Sequence, residues 1–302
     1  MNRKYLLCRP QGGFNDMLTQ IEWCCRYADM HGRIVIVDTD YAGSAYFKDS
    51  FDRYFVPRQS RLWLGTRGLG LDFDGMDVLP KAISGRVTRY ETRWDDARDC
   101  FVDAASGERL SFDASRGHQE QLLVHHAAGG NALSQFALLR LRLHDGLVDA
   151  LLDRLRSIPG PYTALHIRNT DYQTDYAAQV AELSRTVRGP VFVATDNRDT
   201  LSHCVAQFGP GRVFAFSDLP ANGGEPIHRD APDPTTARRR NFDAILDLFT
   251  LALARRLHAL QISNNPRGRY SGFSSLAMKL HETRPVLAGV LQREHPLLAH
   301  LR

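Results

Sequence analysis

The sequence lacks the features that mark secreted, metal-stapled and membrane-spanning proteins. Its 302 residues include five cysteines, an odd number without a Cys-x-x-Cys pair, which argues against a disulfide framework and a zinc site. No apolar run reaches the ~18 residues of a transmembrane helix, and the apolar stretch behind the first basic residues is too short for a signal peptide. We therefore expect reduced, structural cysteines without a zinc site, and a cytoplasmic protein.

The excess of positive over negative charge is also small. The chain has 38 basic and 34 acidic residues, a net charge of +4, which suits a small anionic ligand. The densest basic run, Arg238-Arg239-Arg240, fits a solvated helix start as well as a phosphate contact. It is far from the basic stripe of a nucleic-acid-binding protein. We expect no nucleic-acid partner and at most a weak peripheral association with the cytoplasmic face of a membrane; the oligomeric state stays open.

The N-terminal part has a clear α/β pattern but lacks two nucleotide-binding signatures. Tyr5–Cys8 is apolar, Phe14–His31 has apolar residues at helical spacing, and Ile34–Val37 is a continuous β-branched run. This order predicts a right-handed βαβ unit. The first loop has neither G-x-G-x-x-G nor a P-loop motif, which disfavours an NAD-dependent oxidoreductase and a P-loop NTPase.

That loop reads Gly12-Gly13-Phe14-Asn15-Asp16. Glycines allow the backbone to approach a ligand, and a helix N-terminus favours an anion. Gly12, Gly13 and Asn15 are therefore candidates for ligand binding. A tight turn in which Asn15 or Asp16 caps the helix explains the same residues equally well.

The α/β alternation is interrupted and then returns. The stretch Tyr41–Ala128 is irregular, with a hairpin predicted around Ala105–Glu108, and Pro159-Gly160-Pro161 marks the predicted boundary between domains 1–158 and 159–302. The Pro-rich Ser217–Arg240 is predicted to be a flap or disordered. Strands are predicted at Thr163–Ile167, Val191–Thr195, Val213–Phe216 and Ala259–Ser263, and helices at Asn131–Arg142, Leu147–Ser157, Phe242–Leu257 and Ser274–Glu282.

Two α/β domains with parallel sheets that face a cleft are the simplest assembly, and ligands bind outside the carboxyl ends of such strands. The most informative polar segment, His166–Tyr172, lies at such an end. Arg168 there has the fork geometry that binds a pyrophosphate, and Asp171 is close enough to orient it. A purely structural Arg–Asp ion pair is the alternative.

Two further carboxylates follow. Asp196 comes after the strand Val191–Thr195, where it holds a ribose or, as we favour, caps the next helix. Asp247 lies on an apolar helix, and a buried carboxylate needs partners, such as the two adjacent N–H donors of guanine. Alternatively, Asp247 faces solvent.

A serine-rich segment, Ser263–Ser275, begins a helix directly after a strand. Its hydroxyl and backbone N–H groups predict a second phosphate cradle, and Ser274 as a helix N-cap is the simpler alternative.

Together these motifs resemble the fucosyltransferase superfamily, which includes α-1,6-fucosyltransferases, nodulation fucosyltransferases and protein O-fucosyltransferases. The resemblance rests on the HxRxxD-type segment His166–Asp171, the strand ending in Thr195-Asp196 and the late serines. It is specific over Tyr162–Leu280 and loose before that, where only Gly-Gly-Phe-Asn matches. It implies a GT-B-like fold with two Rossmann-like domains, GDP-fucose as donor, no metal and inversion at the anomeric carbon.

The resemblance also implies roles for individual residues. Arg168 would hold the β-phosphate, His166 would contact the nucleotide, and Asp247, offset by one residue from the family pattern, would bind guanine. A catalytic base is implied a few residues beyond the HxRxxD segment, where Asp175 is the nearest carboxylate; Asp16 is the second candidate. Phosphate and ribose would be bound in the region of Ser263, Ser271, Ser274 and Ser275.

The sequence thus predicts an inverting glycosyltransferase that moves fucose from GDP-fucose to a glycan hydroxyl, in bacterial polysaccharide or glycoconjugate synthesis. The N-terminal domain would be the acceptor side and the C-terminal domain would bind the sugar nucleotide. The same fold with another NDP-deoxysugar donor, or an inactive nucleotide- or carbohydrate-binding module, remains an alternative.

Overall fold

The computed structural model of the protein describes residues 3–41, 44, 46–219, 233–263 and 268–301. The chain divides into two units, Met1–Arg142 and Leu143–Arg302, and each is built around a parallel sheet. The predicted division, between residues 158 and 159, lies later in the chain than this one. The difference is the helix Asp145–Ser157, which belongs to the second unit.

The elements of the first unit are β1 (Tyr5–Pro10), α1 (Phe14–His31), β2 (Ile34–Val37), β3 (Phe55–Pro57), β4 (Leu62–Leu64), β5 (Val78–Leu79), β6 (Thr92–Asp95), β7 (Cys100–Asp103), β8 (Leu122–Ala127), α2 (Ser134–Leu139) and β9 (Leu141–Leu143), whose last residue belongs to the second unit. Five of these strands form a sheet in the order β4-β2-β1-β8-β5, with every pair parallel.

The βαβ prediction is confirmed by β1, α1 and β2. The helix ends where Gly32 adopts a left-handed conformation at φ 65° and donates its N–H to the Ala28 carbonyl. The predicted hairpin is also confirmed, because Gly107 donates its N–H to the Asp103 carbonyl and the chain returns antiparallel. The helix predicted over Asn131–Arg142 is too long, since α2 ends at Leu139 and β9 follows.

The elements of the second unit are α3 (Asp145–Ser157), β10 (Thr163–Ile167), α4 (Tyr176–Thr186), β11 (Val191–Thr195), α5 (Arg198–Phe208), β12 (Val213–Phe214), α6 (Pro234–Leu253), β13 (Arg256–Ala259), α7 (Gly272–Glu282) and α8 (Arg284–Leu291). Its four strands β10 to β13 form a sheet in the order β12-β11-β10-β13, and all the pairs are parallel.

The predictions for α6 and β13 were placed too late in the chain. Asp233 caps α6 by accepting the N–H groups of Thr235 and Thr236, so the helix begins before the predicted Phe242. At the other end, Arg284 donates to the Ala252 carbonyl at 3.1 Å and lies 3.3 Å from the Ala254 carbonyl oxygen. Because a helix end leaves carbonyls unsatisfied, this contact from α8 stabilises the early stop.

The cysteines agree with the prediction of reduced, structural side chains. All five are free, and four of them are buried. Burial raises the pKa of Cys204 to about 12, so its reactive thiolate form is scarce at neutral pH. Among the described residues, no helix is both long and apolar enough to cross a membrane.

Candidate active site

Arg168 lies just beyond the carboxyl end of β10, between two carboxylates. Its Nε donates to Asp171 Oδ1 at 2.9 Å, and its Nη2 lies 2.7 Å from the same oxygen. Its Nη1 lies 2.8 Å from Asp196 Oδ2. The side chain keeps 21% of its surface exposed, so the guanidinium is held in one orientation while part of it still meets solvent. The predicted contact between Asp171 and Arg168 is thus present, and a purely structural ion pair would show the same contact.

Asp196 organises the loop that follows β10. It accepts the backbone N–H of Asn169 at 2.8 Å and the hydroxyl of Thr170 at 2.6 Å, besides its ion pair with Arg168. The favoured prediction that Asp196 caps the next helix was wrong. Asn197 is the N-cap of α5 and accepts the N–H of Thr200 at 2.9 Å, which leaves the Asp196 carboxylate free to hold Arg168 and its loop.

A chain of hydrogen bonds joins β10 to the beginning of α7. His166 Nδ1 lies 2.6 Å from the Ser274 hydroxyl, which in turn lies 2.9 Å from the hydroxyl of Ser271. Ser271, rather than the predicted Ser274, is the N-cap of α7, because its hydroxyl accepts the Ser274 N–H at 3.0 Å. The imidazole also packs against the Phe273 ring at 5.1 Å. The N-terminus of α7 is thereby fixed to the strand that carries Arg168.

Burial lowers the pKa of His166 to about 4; the Asp196 carboxylate acts in the opposite direction, and Arg168 adds to the lowering. Because the unfolded state then binds this proton more readily, the free energy of unfolding should fall as the pH drops from about 6.5 to about 4. For this group the loss amounts to about 3 kcal/mol in all, at about 1.4 kcal/mol per pKa unit.

An NMR titration of the folded protein measures this directly. We expect the His166 imidazole to stay neutral at pH 5.5, and urea unfolding of His166→Asn to depend less on pH than wild type between pH 7 and 5. Protonation of His166 near pH 6.5 in the folded state would contradict the assignment.

Three further predicted site residues of the second unit are Asp175, Ser263 and Ser275. Asp175 is exposed at the N-cap position of α4 and donates its backbone N–H to the Ser263 hydroxyl at 3.1 Å. Ser275 lies in the first turn of α7, where its N–H donates to the Ser271 carbonyl at 2.9 Å. The structure thus brings Asp175 and Ser263 together, and Ser275 beside the Ser271 cap.

Asp247 belongs to a separate cluster. It is buried on α6, where Arg154 Nη1 donates to its Oδ1 and the Ser217 hydroxyl donates to its Oδ2, both at 2.6 Å. The alternative that Asp247 faces solvent was therefore wrong. Within the part of the chain that the structure describes, no hydrogen bond or ion pair links Asp247 to Arg168 or His166.

In the first unit, the glycine loop and α1 form a tight turn. Asp16 Oδ2 accepts the Gly13 N–H at 3.1 Å, which is the capping arrangement predicted as an alternative to ligand binding. Gly12 has a φ of 97°, and a Cβ there would lie 2.7 Å from Asp16 Oδ2. Asn15 is buried, and a Cβ on Gly130 would collide with both Asn15 and Asp16. Ligand binding by these residues stays a prediction.

Sequence reasoning missed Arg154, whose position on an amphipathic helix resembles that of an ordinary surface arginine. The Pro-rich Ser217–Arg240 lies partly outside the described residues, which omit 220–232. Its basic run Arg238–Arg240 lies in the first turns of α6, as the solvated-helix alternative predicted. The described residues contain no group of three or more His, Cys, Asp or Glu side chains placed to hold a metal ion.

Comparison with known proteins gives matches at the level of structure. No protein-family model and no curated protein matches the sequence. The structure of fucosyltransferase NodZ from Bradyrhizobium matches with a TM-score of 0.60 and 16% identity, covering 93% of this chain and 94% of that one.

Two further structures match in the same way. NodZ α-1,6-fucosyltransferase soaked with GDP-fucose has a TM-score of 0.61 and 15% identity, with 92% of each chain covered. POFUT1 in complex with GDP has a TM-score of 0.53 and 11% identity, with 93% and 96% covered. The chain therefore has the fold of these fucosyltransferase structures, which confirms the predicted GT-B-like α/β class.

Proposed function

We propose that the protein is a glycosyltransferase that binds GDP-fucose at the carboxyl end of β10 and transfers fucose to a glycan hydroxyl. The observation that carries this proposal is the fixed Arg168 guanidinium, which follows the strand whose His166 contacts Ser274 in the first turn of α7. A forked guanidinium and a helix N-terminus both bind phosphate oxygens. The fold is shared with NodZ soaked with GDP-fucose.

The Arg168 guanidinium and the N-terminus of α7 must act together to attract a diphosphate at this position. Arg168 carries one positive charge, whereas Asp171 and Asp196 beside it carry two negative charges. The partial positive charge at the N-terminus of α7 must therefore supply part of the attraction. His166 adds no charge at neutral pH, since its pKa is about 4.

The transfer itself needs no covalent intermediate. The acceptor oxygen attacks the anomeric carbon from the face opposite the diphosphate, and the bond from that carbon to the β-phosphate oxygen breaks. GDP leaves with the electron pair, which Arg168 and α7 stabilise, and the acceptor proton passes to a carboxylate. Asp175 is our first candidate for this base because its side chain is exposed; Asp16 is the second. We propose that the reaction requires no metal.

The wider setting follows from the same proposal. The first unit would bind the acceptor glycan, and the reaction would serve bacterial polysaccharide or glycoconjugate synthesis in the cytoplasm or at the cytoplasmic face of the membrane.

Thermal-shift measurements with a panel of nucleoside diphosphates test the donor. We expect GDP at about 100 times its Kd to stabilise the protein by about 2.7 kcal/mol, and GDP-fucose to be hydrolysed slowly without acceptor. Stabilisation by TDP but not GDP would favour another deoxysugar donor. GDP binding without hydrolysis or transfer to any glycan would favour an inactive binding module.

A further inference from the structure

Arg154 on α3 connects two carboxylates of α6. Its Nη1 donates to Asp247 Oδ1 and its Nη2 donates to Asp243 Oδ1, both at 2.6 Å. The guanidinium lies over the Phe216 ring at 5.2 Å, and the side chain is only 9% exposed. Because the guanidinium is planar and packed, this fork fixes where the Asp247 carboxylate lies.

Two different side chains hold the two oxygens of Asp247, and within the described part of the chain each oxygen accepts one hydrogen bond. Arg154 occupies one acceptor position on Oδ1, and the Ser217 hydroxyl occupies one on Oδ2. A carboxylate oxygen accepts about two hydrogen bonds, so the described residues fill only one acceptor position on each oxygen of Asp247. The side chain keeps 10% of its surface exposed.

We infer that Arg154 is a positioning residue that sets the nucleobase preference of the protein by aligning Asp247 with two adjacent N–H donors. This inference rests on the proposed binding of a nucleoside diphosphate. Arg154 acts through Asp247 and need not touch the nucleotide.

The preference follows from the chemistry of the bases. Guanine presents two adjacent N–H groups, one for each oxygen of the fixed carboxylate. Uracil and thymine present one N–H between two carbonyl oxygens, and adenine presents an amino group beside an acceptor nitrogen. Those bases would place an acceptor against the Asp247 carboxylate, and buried polar groups without partners are costly.

The variant Arg154→Lys tests the inference, because lysine keeps the charge but cannot bridge two carboxylates as a fork. The Kd of each variant for GDP, UDP, TDP and ADP is measured by calorimetry. We expect the Kd for GDP to rise about 10- to 100-fold, while the Kd values for the other nucleotides change less than threefold. The preference for GDP should therefore collapse.

Arg156→Lys is the matched control on the same helix, since Arg156 pairs with Asp153 and is mostly exposed; its nucleotide preference should equal that of wild type. Ser217→Ala removes only the contact to Oδ2 and should lower the preference by a smaller factor. If circular dichroism shows that Arg154→Lys does not fold, Ser217→Ala still tests whether the position of the Asp247 carboxylate sets the base preference.

The outcomes separate the two proposals. If wild type binds GDP selectively and both Arg154→Lys and Ser217→Ala keep that selectivity, Arg154 does not set the base preference. If Arg154→Lys weakens the binding of all four nucleotides equally, the role of Arg154 is structural only. If wild type binds no nucleoside diphosphate, the proposed function itself fails.

Discussion

Arg168→Ala should weaken GDP binding by about two to three orders of magnitude. The substitution removes the forked charge that would bind the diphosphate, and charge-assisted hydrogen bonds contribute about 1.5–3 kcal/mol each. It also leaves Asp171 and Asp196 without their shared cation, so two carboxylates would then repel the diphosphate. Calorimetry with GDP at fixed ionic strength measures the loss, since the salt concentration screens such interactions.

Two variants make the result specific. Arg168→Lys keeps the charge without the fork, and we expect it to recover only part of the affinity. Arg185→Ala removes an exposed arginine from α4 in the same unit and should leave GDP binding unchanged. If wild type binds GDP and Arg168→Ala binds it equally well, Arg168 is not the diphosphate clamp.

The parts of the fold that were predicted correctly are those with a local cause. The strands β10 and β11 have the predicted bounds, because each is an apolar run that ends at polar residues. The helix α1 likewise combines regular apolar spacing with a glycine stop at Gly32.

The strand β8, which lies inside the five-stranded sheet between β1 and β5, was missed because two histidines interrupt its apolar sequence, Leu-Leu-Val-His-His-Ala. Both histidines are nevertheless buried. His125 Nδ1 lies 2.7 Å from the Ser111 hydroxyl and its Nε2 lies 2.8 Å from Gln20 Oε1. His126 contacts the Tyr90 and Tyr41 hydroxyls. These partners are distant in sequence, so no local pattern shows that the histidines are satisfied.

The same limit applies to the candidate site. The residue types at β10, β11 and α7 indicated an anion site, but neighbouring residues competed for each cap. Asn197 caps α5 where Asp196 was favoured, and Ser271 caps α7 where Ser274 was expected. Tertiary contacts determine which residue becomes the cap. Asp196 forms an ion pair with Arg168, and Ser274 forms a hydrogen bond with His166.

Arg9→Met should lower the free energy of unfolding by about 3–5 kcal/mol, which is the usual cost of removing one partner of a buried ion pair. Arg9 is buried near the end of β1, where its Nε donates to Asp38 Oδ2 at 2.8 Å and its Nη1 donates to the Val87 carbonyl at 2.9 Å. Its guanidinium also lies 4.5 Å from the Tyr41 ring and 5.0 Å from the Tyr90 ring.

The cost arises from the partner that remains. Asp38 is 2% exposed, and burial already raises the pKa of its carboxyl while Arg9 opposes that rise. Without Arg9 the carboxylate would be buried with no cation beside it, so it must either take up a proton or remain charged at a high cost. Urea unfolding at pH 7 measures the change.

Two comparisons separate the buried pair from general effects of losing an arginine. Arg67→Met breaks the ion pair between Arg67 and Asp40, and Asp40 lies two residues after Asp38. Because Arg67 is 66% exposed, the free energy of unfolding should fall by less than about 1 kcal/mol. The double variant Arg9→Met with Asp38→Asn removes both charges and should recover a large part of the stability lost by Arg9→Met alone. An unchanged urea midpoint for Arg9→Met, or no recovery in the double variant, would show that the charge left on Asp38 is not what destabilises the unit.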